Sequence, residues 1–232
     1  MSIQIGYKSP SFYLPPDQVV SWLKADAGIT LSGSYVTKWD DQSGNDNYVY
    51  NISASYAPLY VPAYSGSYPA VLFDGVDDRL DFRTLLIGGT ADTVVFAVCR
   101  PLFTGVNLGL IGSTSYRYFQ YISNRVSIQG GSSGTNAILT KTIPTDTFHV
   151  AALAMTNRTG SFYLNNVDVT LQQLLLGNVG QIKYIGAGAV IGMPQSPFYG
   201  PVSELIIVSG TLPPDVISNV NQSLIDKYRF IL

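Results

Sequence analysis

Apolar and polar residues alternate in short runs along most of the chain, and Gly, Pro, Asn and Ser break the runs at close spacing. Successive side chains of a strand point to opposite faces, so a period of two predicts β-strands. Many short strands between such turns predict a sandwich or barrel. The clearest runs are TVVFAV from Thr93, YRYFQYI from Tyr116, FHVAALAM from Phe148, SFYL from Ser161 and SELIIV from Ser203. Between SFYL and VDV, Asn165 and Asn166 suit the two positive-φ positions of a tight hairpin turn. A helical period appears at the C-terminal end: after Pro213, Pro214 and Asp215, residues Val216, Ile217, Val220, Leu224, Ile225 and Tyr228 form one apolar stripe. Pro15-Pro16-Asp17 likewise predicts a short N-terminal helix that buries Val19, Trp22 and Leu23. The expectation is an all-β, antiparallel β-sandwich over residues 17–232, with a short N-terminal and a C-terminal helix, preceded by an arm over residues 1–16.

Composition narrows the function classes. Charged residues make up 12% of the chain and the formal net charge is −2, against roughly 25% charged in an average globular protein. No Lys/Arg cluster is present, so nucleic acid is not an expected partner. No apolar run reaches the roughly 18 residues that a membrane helix needs, so membrane insertion is not expected. The N-terminal stretch MSIQIGYKSPSF lacks the pattern of a secretory signal. Cys99 is the single cysteine and lies in an apolar run, which predicts a buried thiol packed as a small hydrophobe.

The stretch FDGVDDRL, Phe73 to Leu80, carries three carboxylates. An apolar strand end, an Asp-Gly turn, two further aspartates able to accept turn amides and a neutralising Arg79 read as a corner between strands. Catalytic readings have less to stand on. No strand carries the alternating acidic residues of a glycosidase pair, and no Gly-x-Ser-x-Gly elbow is present. His149, the only histidine, is expected as a structural or exposed strand residue without a Cys or His partner. The chain is therefore expected not to be an enzyme.

Four pieces in order, VSWLKADAGITLSGSYVTKWDDQSGNDN, YPAVLFDGVDDRLDF, FYLNNVDV and GPVSELIIVSGTLPPDVISNVNQSLIDKY, resemble the laminin-G-like jelly-roll domains of the concanavalin A-like lectin and glucanase superfamily. Trp39-Asp40-Asp41 and Ser43-Gly44-Asn45 match that family's Trp-Asp strand end and Ser-Gly-Asn turn. The resemblance implies a jelly roll with a binding role. It also implies a site for calcium, with Asp74, Asp77 or Glu204 as ligands, although no cofactor is required. Tyrosines suit sugar stacking, and Tyr56, Tyr60, Tyr64, Tyr116 and Tyr118 are the candidate ligand-binding residues.

The function expected from these readings is a non-catalytic adhesive or structural protein on a virus particle, a bacteriophage capsid decoration or tail protein binding glycans or a host surface. A carbohydrate-binding module of a bacterial extracellular or cell-surface protein is the alternative, and a polysaccharide-cleaving enzyme is the third reading. Multi-copy association with other virion or surface proteins would use the arm, where Ile3, Ile5, Tyr7, Phe12 and Tyr13 are the candidate docking residues.

Overall fold

The computed structural model describes residues 13–64, 68–87, 91–102, 107–114, 117–122, 125–130, 135–138, 143–144, 146–171, 180–190 and 193–229. Ile3, Ile5, Tyr7, Phe12 and Tyr116 lie outside this set, as does the side chain of Tyr118. Among the described residues, antiparallel pairing joins seventeen strands into one sheet. Its spine is the strand Tyr199–Ser209. One edge of the spine pairs first with Tyr68–Asp74 and then with Val19–Lys24; the other pairs with Thr93–Cys99. Beyond Thr93–Cys99 follow His149–Thr156 and Thr159–Leu164. Beyond Tyr68–Asp74 the ladder runs through Leu59–Tyr64, Tyr35–Trp39, Val49–Tyr50, Leu80–Phe82, Ile182–Ile185 and Leu108–Ser113.

The sheet folds over on itself because its central strands are apolar on both faces. Val95, Ala97, Cys99, Ala151, Leu153, Leu205 and Ile207 point inward and share one core with Trp39, Val49, Phe82, Leu110 and Phe119 from the far end of the ladder. The alternate residues Val94, Phe96, Val98, Val150, Ala152, Ile206 and Val208 form a second core under Ile217, Val220, Leu224 and Tyr228 of the helix Pro214–Tyr228. Strands covered on both faces read as continuous apolar runs, which accounts for VVFAV and LIIV. The helix starts as its sequence predicts, with proline in the first turn, Asp215 near its positive end and Lys227 near its negative end. The Asn165-Asn166 turn is also as expected, with φ of 46° and 65°.

The expected N-terminal helix is instead the strand Val19–Lys24. Val19, Ser21 and Leu23 are buried and Val20, Trp22 and Lys24 are half-buried. The apolar positions satisfy a period of two, and the pairing with Leu205–Val208 supplies backbone partners that a six-residue helix would leave unmade. The Trp-Asp and Ser-Gly-Asn motifs staple this strand in place. Asp41 accepts hydrogen bonds from the Trp22 and Ser43 amides at 2.8 and 2.9 Å through Oδ1, and from the Ser43 hydroxyl and Asn47 amide at 2.7 and 3.0 Å through Oδ2. Asn45 and Asn47 donate their side-chain amides to the Val19 and Val20 carbonyls at 2.6 and 2.8 Å. Leu14 is buried in the second core, so chain packed into the domain begins inside the arm expected over residues 1–16.

Candidate functional site

The acidic corner forms where the strand Tyr68–Asp74 ends and Leu80–Phe82 begins. Asp74 Oδ1 accepts the amides of Val76, Asp77 and Asp78 at 2.8, 3.3 and 3.4 Å, and Asp78 Oδ2 returns the favour by accepting the Asp74 amide at 2.9 Å. Gly75 turns the chain at φ +77°, and a Cβ there would lie 2.7 Å from Cβ of Tyr199. The corner needs glycine both for its backbone and for the tyrosine packed on it. Burial, and then the charge of Asp74, raise the Asp78 carboxyl to about 6 against the hold of the Asp74 amide.

Register brings distant residues to this corner. Tyr199 pairs with Asp74, Leu59 with Leu72, and Tyr35 with Leu59. The result is a cleft of about 570 Å³ lined by Asp74, Asp78, Tyr35, Tyr199, Ser55 and a floor that includes Leu59, Leu72 and Phe73. Tyr35 is 53% exposed. Two aromatic rings, an apolar floor and carboxylate acceptors suit a polyol with an apolar face. Beside it, Arg79 lies 4.6 Å over the Tyr56 ring and bonds Asp81 through Nε at 3.2 Å.

Of the tyrosines expected to bind ligand, Tyr56 neighbours the cleft between Ser55 and Ala57 but is packed by Arg79. Tyr60 packs on the main core and donates its hydroxyl to the Ala25 carbonyl at 3.3 Å. Tyr64 stands edge-on to Phe148, 5.6 Å between centroids, beside the second core. A register shift between Val61 and Tyr64 puts Tyr60 against the main core and Tyr64 beside the second, so the two do not share one site. Tyr35 and Tyr199 are the cleft residues that sequence reasoning missed, and Asp78 was read only as part of the turn. The local signal of the two tyrosines is an aromatic close to a glycine, in SGSY and FYG.

Asp74, Asp77 and Asp78 can each offer one carboxylate oxygen within 4.8 Å of the others, which fits a hard divalent cation. Glu204 does not belong with them. It lies five residues along the strand from Tyr199, the partner of Asp74, a span of roughly 16 Å. It is 1% exposed, and its carboxylate accepts from Trp22 Nε1 at 2.6 Å, Lys227 Nζ at 2.7 Å and the Tyr228 hydroxyl at 2.8 Å. Glu204 is the anchor of the C-terminal helix. Among the candidate docking residues, Tyr13 is described and is 75% exposed.

His149 is buried and does have a cysteine neighbour. Strand pairing sets it opposite Cys99, with Nε2 3.9 Å from Sγ and 2.9 Å from the Tyr121 hydroxyl, while Sγ lies 3.2 Å from that hydroxyl. Burial holds the imidazole down at about 4 and pushes the thiol up to about 12. Burial thus favours the neutral forms of the thiol and the imidazole in this hydrogen-bonded core trio.

In fold the chain is similar to the binding domain of Paraclostridial Mosquitocidal Protein 1, at 10% identity and TM-score 0.64 over 91% of this chain and 53% of that one. It is also similar to domain 4 of AbnA, a GH43 extracellular arabinanase from Geobacillus stearothermophilus solved with arabinotriose. That match has 16% identity and TM-score 0.57, over 88% of this chain and 98% of that one. A third likeness is to the ligand binding domain of botulinum neurotoxin serotype D solved with N-acetylneuraminic acid, at 11% identity and TM-score 0.61 over 90% and 52%. At these identities the likeness is one of fold. The chain spans about half the length of the two toxin structures and nearly all of the arabinanase domain. No family model and no curated protein sequence matches it.

Proposed function

We propose that this chain is a non-catalytic, laminin-G-like glycan-binding module whose ligand lies in the Tyr35–Asp74–Asp78–Tyr199 cleft. The observation that carries the reading is the cleft itself, a groove lined by aromatic and apolar residues together with the carboxylates of Asp74 and Asp78. Two of the similar folds were solved with carbohydrates, arabinotriose in one and N-acetylneuraminic acid in the other, which supports the reading. None of the three similar structures is a virion protein. The comparisons therefore lend the virion placement no support, and an extracellular or cell-surface module accounts for the cleft equally well.

The enzymatic alternative would use Asp74 and Asp78 as a pair, one ionised and one held protonated to a higher pH. Both, however, sit on the same turn and spend an oxygen on its amides. A glycosidase needs its two carboxyls on opposite sides of the bond it cleaves. Isothermal titration against neutral and acidic oligosaccharides, with Tyr35→Ala as the control, tests the proposal. Tyr35 is 53% exposed, so the variant should stay folded and lose at least about tenfold in affinity. Unchanged binding would move the site elsewhere. Release of reducing ends that Asp78→Asn abolishes would make the protein an enzyme. We take the cleft to work without metal, so EDTA should leave binding and melting temperature unchanged, and a calcium-dependent rise in either would place the ion on Asp74, Asp77 and Asp78.

A further inference from the structure

We infer that the cleft selects neutral or amine-bearing oligosaccharides and rejects those that carry sialic or uronic acids, an inference that rests on the glycan-binding reading above. The charges around the cleft carry it. Asp74 and Asp78 line the groove, Asp77 lies on the same corner with a carboxylate oxygen within 4.8 Å of theirs, and no lysine, arginine or histidine is among the described residues that line it. The cations nearby are already engaged: Arg79 Nε lies 3.2 Å from Asp81 with its guanidinium over the Tyr56 ring, and Lys183 lies 3.7 Å from the other oxygen of Asp81. Among the described residues, Asp74, Asp77, Asp78 and Asp81 thus stand beside Arg79 and Lys183, and both of these cations pair with Asp81, which does not line the cleft.

A sugar carboxylate entering the groove would meet negative charge with no donor fork of the kind that recognises carboxylates. Sugar hydroxyls, in contrast, can donate to the aspartate oxygens while a ring face packs on Tyr35 or Tyr199, and a charge-assisted hydrogen bond is stronger than a neutral one. A free ammonium in place of a hydroxyl adds attraction of the same sign. The two glycan-bound folds that this chain resembles carry one neutral ligand, arabinotriose, and one acidic ligand, N-acetylneuraminic acid. The charge of this cleft sides with the neutral one.

The test uses matched ligands on the intact chain at pH 6.5, where the amines of a glucosamine oligomer carry charge: lactose against 3′-sialyllactose, and N-acetylated chitotriose against its de-acetylated trimer. The sialylated sugar should bind at least about tenfold more weakly than lactose at low salt, and the amine-bearing trimer more tightly than the acetylated one. Because the discrimination is electrostatic, raising the salt from about 20 to 500 mM should narrow both ratios. Asp78→Asn keeps an oxygen for the Asp74 amide and removes one charge, so it should also bring the lactose-to-sialyllactose ratio closer to one. Sialyllactose binding as tightly as lactose, or ratios insensitive to salt, would overturn the inference and leave the glycan-binding reading standing. Failure of every sugar in the panel would overturn both.

Discussion

Glu204 on the spine strand and Lys227 on the C-terminal helix meet at 2.7 Å, with the carboxylate almost wholly removed from water. Lys227 also reaches Asp26 at 3.2 Å. Trp22 and Tyr228 complete the ring around Glu204, so one buried carboxylate ties the first strand, the spine and the helix together. Its neighbourhood also pushes the Tyr228 hydroxyl upward, through burial first and then the Glu204 charge.

Glu204→Ala should therefore destabilise the domain by roughly 2–4 kcal/mol, since it removes the buried acceptor shared by the Trp22 indole and the Tyr228 phenol and leaves Lys227 only its bridge to Asp26. Glu204→Gln should cost less, because an amide oxygen still accepts two of the three bonds. Urea titration of both variants measures the difference. Equal, negligible costs would mean that the anchor is not structural.

A second expectation concerns pH. The Asp78 carboxyl holds its proton to about 6 in the folded chain but to about 4 when unfolded. The folded state binds the extra proton between those values, so this group adds stability as pH falls from 7 towards 4. His149 acts in the opposite sense. Its folded value of about 4 lies below the ordinary 6.5, so stability is full above 6.5 and is lost as pH falls towards 4. The shifts cap each effect at about 3 kcal/mol, and solvent screening lowers the Asp78 contribution further. Subtracting the pH–stability curve of Asp78→Asn from that of the native chain should leave a curve that rises towards acid. A flat difference would show that Asp78 titrates normally.

The hairpin at Asn165-Asn166 separates two roles that the sequence presents as one pair. Asn165 exchanges backbone and side-chain hydrogen bonds with Val150, its amide donating to the Val150 carbonyl at 2.8 Å and its Oδ1 accepting the Val150 amide at 2.9 Å. No such bond to the Asn166 side chain is seen among the described residues. Asn166→Gly should raise stability by roughly 0.5–1 kcal/mol at φ 65°. Asn165→Gly should lower it, and thermal melts of the two variants distinguish the roles by sign.

What could be read from the sequence follows the range over which each signal acts. The C-terminal helix was legible because its starting proline and its apolar stripe lie within fifteen residues. The corner was legible because Asp74 satisfies amides two to four residues away. The segment Val19–Lys24 was misread because Val19, Trp22 and Leu23 fit a helical turn as well as Val19, Ser21 and Leu23 fit a strand, and only the distant spine strand decides between them. The same distance hid the site. Tyr35 and Tyr199 come to one cleft through Leu59, Leu72 and Asp74, and Cys99 meets His149 across a ladder fifty residues apart in sequence. Such pairings follow from register, which local pattern does not specify.

The arm offers the last expectation. Docking on a partner by residues 1–16 requires that they be dispensable for the fold, yet Leu14 is 8% exposed among Phe148, Val150, Leu212 and their neighbours in the second core, and the Pro15 carbonyl accepts the Gln18 amide at 3.0 Å. Burying one leucine contributes roughly 1.5–3 kcal/mol. Deleting residues 2–12 should accordingly leave the melting temperature within a few degrees of native, whereas deleting residues 2–14 should lower it clearly, and Leu14→Ala alone should account for most of that drop. If the shorter deletion also abolishes self-association in light scattering while glycan binding persists, the arm is a docking element distinct from the cleft. If instead it unfolds the domain, residues 2–12 belong to the fold, and the docking role loses the separation on which it depends.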